Sequence, residues 1–212
     1  MSFTVVIDGK PCAGKTTQAS LVAQELRDRG VNAVNIKEYS RANALLRGIV
    51  DAAELTRQRS GKSSLELAIS DALSFFAISA SYLSNIRKNV DVLVMESTPY
   101  TYGYSVESAD KDSHHSAYKL VRPVARLFNA NIIVYLSADD GVLLSRFEHR
   151  DDHRDAMHKR QIFHDDSELK KALRDYVGDG RFIELDARGD KQSIAQHIVG
   201  KVIAEMGRAG RA

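Results

Sequence analysis

The apolar residues of this chain fall into short runs that alternate with stretches of helical spacing. Phe3-Thr4-Val5-Val6-Ile7-Asp8 is the first run and predicts a strand. Thr17 to Arg29 then carries Ala19, Leu21, Val22, Ala23 and Leu26 at helical spacing, and Gly30 offers a C-terminal cap. Val31 to Lys37, with Val31, Ala33, Val34 and Ile36, predicts a second strand. Strand, loop, helix and strand in that order begin a parallel sheet.

Residues 40 to 59 return to helical spacing through Leu45, Leu46, Ile49 and Val50, with Arg41, Arg47, Arg57 and Arg59 around them. Taken alone, those cations read as a solvated helix face. Gly61-Lys62-Ser63 interrupts the pattern, and Ser63 with Glu66 has the form of a capping box opening a long helix from Ser64 to about Lys88. Val90 to Met95 is apolar except for Asp91 and ends on Glu96, as expected of a strand covered on both faces with its terminal carboxylate at the sheet's C-terminal edge. Ser97 to His115 reads as a loop whose tyrosines, Tyr100, Tyr102 and Tyr104, either face a ring-shaped ligand or pack the loop onto a helix. Ser116 to Phe128 is helical around Leu120, Val121, Val124, Leu127 and Phe128, with Pro123 either kinking it or starting its second part; Asn131 to Leu136 is another buried-type strand, and Asp139 or Asp140 caps a helix through Val142, Leu143, Leu144 and Phe147. A helix over 168–177, a strand over 181–185 and a closing helix over 190–206 complete the pattern, and residues 207–212 are expected to fray. The pattern predicts an α/β fold in one domain over residues 1–206.

The composition narrows the class without changing the fold. At 212 residues the chain suits one well-buried domain, and 43% hydrophobic residues, 27% charged residues and a net charge of +2 exclude a disordered chain and argue against a strongly basic nucleic-acid binder. The chain enters its first strand directly after Met1-Ser2, and no apolar run approaches the length of a membrane span, so a cytoplasmic enzyme with no membrane partner is expected. Cys12 is the only cysteine, which rules out an intramolecular disulfide and a cysteine-built zinc site. His149 and His153 lie four apart with no third ligand nearby and read as surface residues rather than a zinc site.

The strongest chemical signal joins the first strand to the first helix. Gly9-Lys10-Pro11-Cys12-Ala13-Gly14-Lys15-Thr16, followed by Thr17, is G-x-x-x-x-G-K-T, a P-loop. Glycines let the backbone curl so that successive N–H groups point inward, and the helix adds its positive end to that anion nest. Lys15 is expected to reach the β- and γ-phosphates, and Thr16 to ligate Mg²⁺. Cys12 inside the loop is read as a small residue that fits rather than as a reactive thiol. Arg146, Arg150 and Arg154 recur every four residues in a polar segment after the fourth strand, where a lid over about 146–165 could close. Phosphoryl transfer needs positive charge on the migrating group and exclusion of water, and such a lid supplies both. The chain also lacks the N-K-x-D signature of guanine recognition, which weakens a GTPase reading.

Over nearly its whole length the chain resembles the thymidylate kinase branch of the P-loop nucleoside and nucleotide kinases. The resemblance is carried by Asp8-Gly9 through Gly14-Lys15-Thr16-Thr17-Gln18, the Lys37-Glu38 pair, the strand ending at Glu96, the Arg146/Arg150/Arg154 segment and Leu185-Asp186-Ala187-Arg188. It implies a three-layer kinase fold with a five-stranded parallel sheet ordered 2-3-1-4-5, ATP with Mg²⁺ as donor, and Arg188 beside the adenine. Relatives carry a catalytic arginine either in the P-loop or in the lid. With Cys12 at the loop position, the resemblance assigns that role to the lid arginines.

The chain also departs from that branch. The third strand ends in Glu96-Ser97 where the family has an acidic residue followed by arginine, Lys37-Glu38-Tyr39 replaces Arg-Glu-Pro, and Asp71 and Ser74 stand in the long helix where phosphate-holding relatives have an arginine. Losing planar bidentate donors from a phosphate site is not a conservative change. The acceptor side is expected to draw on Glu38, Arg47, Asp71, Glu96, Tyr100 and Tyr104. Glu38 or Glu96 would orient or deprotonate an acceptor hydroxyl while the other holds Mg²⁺, Thr16 and Glu96 being the metal candidates. The small-molecule acceptor expected is a nucleoside monophosphate of thymidylate type, or else a nucleoside. A polynucleotide 5′-end kinase and a P-loop ATPase switch are the other readings, and a homodimer is left open.

Overall fold

The computed structural model describes residues 2–45, 47–49, 51, 79–80, 82, 85, 90–98, 100–101, 128–149 and 156–209. In chain order its elements are β1 (Phe3–Gly9), α1 (Lys15–Asp28), β2 (Ala33–Asn35), α2 (Ile36–Ala42), β3 (Val92–Glu96), β4 (Ile132–Ser137), α3 (Asp140–Glu148), α4 (Ala156–Phe163), α5 (Ser167–Val177), β5 (Phe182–Asp186) and α6 (Lys191–Ala209). The strands form one five-stranded sheet in the order β2-β3-β1-β4-β5, and every pairing is parallel.

Alternate side chains of the central strands leave the sheet on opposite sides, and both sides are covered. Val5, Ile7, Val92, Val94, Val134 and Leu136 share one core with Ala19, Val22 and Leu26 of α1 and Ile198 and Val202 of α6. Val6, Leu93, Met95, Ile133 and Tyr135 pack on the other side with Tyr82, Phe128 and Leu169, Leu173 and Val177 of α5. This two-sided burial is why the strands read as continuous apolar runs instead of alternating ones. Each large side chain buried this way contributes about 1.5–3 kcal/mol relative to exposure.

Several sequence-based boundaries change. The second strand stops at Asn35 instead of Lys37, because the Asn35 side chain accepts hydrogen bonds from the backbone N–H groups of Lys37 (3.0 Å) and Glu38 (3.4 Å) and so caps α2. Neither aspartate expected to cap α3 does so with its side chain: Asp139 makes no capping bond, and Asp140 lies in the first turn, where Oδ1 accepts from Lys10. The closing helix runs on through Gly207 and Arg208, which were expected to fray, and ends at Ala209. Most of the long helix expected over 64–88, the loop over 102–115, most of the helix over 116–128, and residues 210–212 lie outside the described residues.

Candidate active site

In a parallel sheet, ligands collect where neighbouring crossovers diverge at the C-terminal ends of the strands. Here β1 is that point, because β3 and β4 flank it on opposite sides. The loop Lys10–Gly14 leaves β1 there. Gly9 has φ +144°, and a Cβ on it would lie 2.5 Å from the Leu136 carbonyl oxygen, so the loop is pressed against β4 in a way only glycine permits. Cys12 holds a left-handed φ of 64°, and its side chain is buried. Gly14 then caps α1 in a left-handed conformation, its first-turn N–H groups meeting no acidic residue within that turn. Those donors and the helix dipole favour an anion. Lys15 folds back over the loop, donating to the carbonyl oxygens of Gly9 (2.6 Å) and Lys10 (3.0 Å).

A carboxylate supports the loop from beneath. Asp8 is fully buried; its Oδ1 accepts from the Gly9 N–H (2.7 Å), and its Oδ2 accepts from the Thr98 N–H (3.1 Å), the Thr98 hydroxyl (3.1 Å) and the Thr101 hydroxyl (2.5 Å). It thereby ties the end of β1 to the segment after β3. Lys10 ties the loop the other way, donating to Asp140 Oδ1 (3.0 Å) and to the Ile162 carbonyl of α4 (2.9 Å).

On the β3 side, the Thr16 hydroxyl donates to Glu96 Oε2 at 2.8 Å. Lys37 Nζ donates to that same carboxylate oxygen (2.8 Å) and to Thr16 Oγ1 (3.2 Å), joining α1, β3 and α2 at one point. Glu96 Oε1 is buried and has no hydrogen-bond partner among the described residues. A hydroxyl, a carboxylate and an unsatisfied carboxylate oxygen are the hard oxygen donors Mg²⁺ takes, so these residues fit the ion. Among the described residues no group of three or more His, Cys, Asp or Glu could hold a metal, so an ion here would also need oxygens from the phosphates. Glu38 lies exposed in the first turn of α2, beside Lys37, and Arg47 is exposed at a helical turn following Asn43.

On the β4 side a cavity of about 360 Å³ opens between Cys12–Gly14, the Arg146 and His149 end of α3, and the turn Ala187–Lys191. That volume lies within the range of small-molecule sites. Thr17 and Gln18 of α1 also line it. Gln18 Nε2 donates to the Lys191 carbonyl (2.9 Å), and its Oε1 is buried without a partner.

Three expected site residues have protein partners of their own. Arg146 belongs to α3 rather than to a lid, and donates to the carbonyl oxygens of Ala187 (2.8 Å) and Cys12 (3.5 Å), bracing the cavity wall. The Arg188 side chain is 56% exposed and held by Asp186 and Asp139, while its neighbours Ala187 and Gly189 line the cavity. Arg188 holds the Asp186 carboxyl below the usual carboxylate range, through its guanidinium first and its backbone N–H second. Tyr100 is 5% exposed and stacks in tilted fashion against Tyr176 at 5.6 Å, so its ring belongs to the core. His149 is exposed, as expected, and borders the cavity. Arg150, Arg154, His153, Asp71 and Tyr104 lie outside the described residues.

The same fold occurs in a deoxyadenosine kinase from M. mycoides, whose solved structure holds the products dCMP and a flexible dCDP. The two chains superpose with a TM-score of 0.64 at 15% sequence identity, over 95% of this chain and 100% of that one. No protein-family model matches the sequence, and no curated protein matches it. The parallel order 2-3-1-4-5, flanked by helices on both faces, is the fold of a P-loop kinase.

Proposed function

We propose that this chain transfers the γ-phosphoryl group of ATP to a nucleoside or nucleoside monophosphate. The observation that carries the reading is the 2.8 Å bond between Thr16 of the phosphate loop and Glu96 at the end of β3, which joins an anion nest to a metal-suited carboxylate. The loop N–H groups and Lys15 would hold the β- and γ-phosphates, and the cavity beside Arg146 would take the donor base. Thr16 and Glu96 would hold Mg²⁺, which when bound draws charge from the phosphate oxygens. Glu38 would take the proton of an acceptor hydroxyl as its oxygen bonds to phosphorus and ADP leaves. Arg150 and Arg154 are the proposed lid donors, and Asp71 and Tyr104 remain proposed acceptor contacts.

Between the two acceptors, Ser97 favours the nucleoside. It replaces a family arginine with a hydroxyl, and its φ of 63° and its N–H bond to the Ile7 carbonyl (3.0 Å) pin the backbone against β1. A site short of a planar cation suits an uncharged acceptor better than a phosphate. Thymidine monophosphate, to which the sequence resemblance points, is the second reading.

Supplying γ-labelled ATP with a panel of nucleosides and their monophosphates tests this. Label is expected in the product of at least one nucleoside, and Lys15→Ala is expected to lower that kcat by about 100-fold or more without unfolding the chain. ATP hydrolysis with no labelled acceptor from either set would overturn the kinase reading in favour of a switch ATPase.

A further inference from the structure

We propose that Lys37 is an internal counter-cation that occupies the Mg²⁺ seat and must be displaced when the metal nucleotide arrives. The inference rests on the phosphoryl-transfer reading above, and it concerns a lysine to which the sequence assigned no role. A threonine hydroxyl has one proton and two lone pairs. Thr16 spends its proton on Glu96 (2.8 Å) and accepts from Lys37 Nζ (3.2 Å), so the ammonium uses acceptor capacity that a metal ion would need. Lys37 also donates to Glu96 Oε2 at 2.8 Å, the oxygen already bonded to Thr16.

The arrangement is incomplete as a purely structural ion pair. The Glu96 side chain is only 9% exposed, yet Oε1 has no partner among the described residues, so a single ammonium leaves half of a buried carboxylate unsatisfied. A divalent ion between Thr16 and Glu96 would satisfy more of that capacity. It could not share the seat, because two cations a few ångströms apart in a partly buried site repel each other strongly. The Lys37 side chain is 36% exposed, so its ammonium can swing into solvent. The chain therefore carries its own placeholder, which offsets the charge of Glu96 in the nucleotide-free state and disfavours metal binding there.

The test reads metal binding, not turnover. Mn²⁺ titrated into the nucleotide-free chain and followed by electron paramagnetic resonance is expected to bind weakly in wild type and about tenfold or more tightly in Lys37→Met, which keeps the aliphatic stem. Lys37→Gln serves as a second neutral variant, with thermal melting confirming that each is folded. Unchanged or weaker Mn²⁺ binding in both neutral variants overturns the inference. Glu96→Gln separates it from the underlying reading. If ATP-dependent Mn²⁺ binding survives that change undiminished, the metal seat itself is misassigned and the inference falls with it. If Glu96 matters but Lys37 does not, only the inference fails.

Discussion

At the scale of single residues, the site is built from groups whose partners lie far away in sequence. Gly9, Gly14, Lys15 and Thr16 are legible in the sequence because their spacing is itself the motif. Lys37 and Glu96 are not legible as a pair: 59 positions separate them, and only the adjacency of β2 and β3 brings them together. Tyr100 misleads for the same reason, since a tyrosine in a loop can face a ligand or a core, and Tyr176 decides the matter. The two loop glycines differ in what they tolerate. A Cβ on Gly9 meets the Leu136 carbonyl oxygen at 2.5 Å, whereas one on Gly14 meets nothing within 4 Å, although its φ of 95° still disfavours a side chain. Gly9→Ala is therefore expected to cost about 2 kcal/mol or more, and Gly14→Ala less, in chemical denaturation. Equal losses would show that backbone conformation alone, and not the approach to β4, sets the requirement.

At the scale of elements, the helix ends carry the electrostatics. Asp190 accepts from the Ser193 N–H (2.8 Å) and hydroxyl (3.1 Å) at the start of α6, and those bonds, the backbone one first, hold its carboxyl below the usual range. Asp165 is lowered at the start of α5 by the Ser167 hydroxyl and then its N–H. A carboxyl whose folded pKa is depressed stabilises the fold above its unfolded pKa, and that stability is lost as pH falls through the folded value. Melting temperature is thus expected to drop on acidification from about pH 5 toward pH 2, with a shallower slope in Asp190→Asn, whose side chain still caps but does not titrate. A slope identical to that of wild type would remove Asp190 from the account. Helices α1, α3, α5 and α6 were visible in the sequence through their apolar spacing, whereas α2 and α4 were not, and several helix ends were not either. Asn35 ends β2 early by capping α2, and Asp140 is diverted from capping by Lys10, a partner 130 positions away.

At the scale of the whole molecule, the sheet divides the site. The phosphate loop stands on β1 at its centre, the cavity beside Arg146 opens on the β4 side, and the Thr16–Glu96–Lys37 cluster closes the β3 side. The fold was readable because unbroken apolar runs mean strands covered on both faces. Of the expected acceptor residues, Asp71 and Tyr104 lie outside the described residues. None of the described helices is long and apolar enough to cross a membrane. The central claim is that loop and carboxylate act as one phosphoryl-transfer site. Acceptor-dependent ADP formation, measured at saturating ATP for wild type, Lys15→Ala and Glu96→Gln, tests it most directly. The account predicts that both variants stay folded and lose about 100-fold or more in kcat. Turnover within a few-fold of wild type in either variant would contradict it.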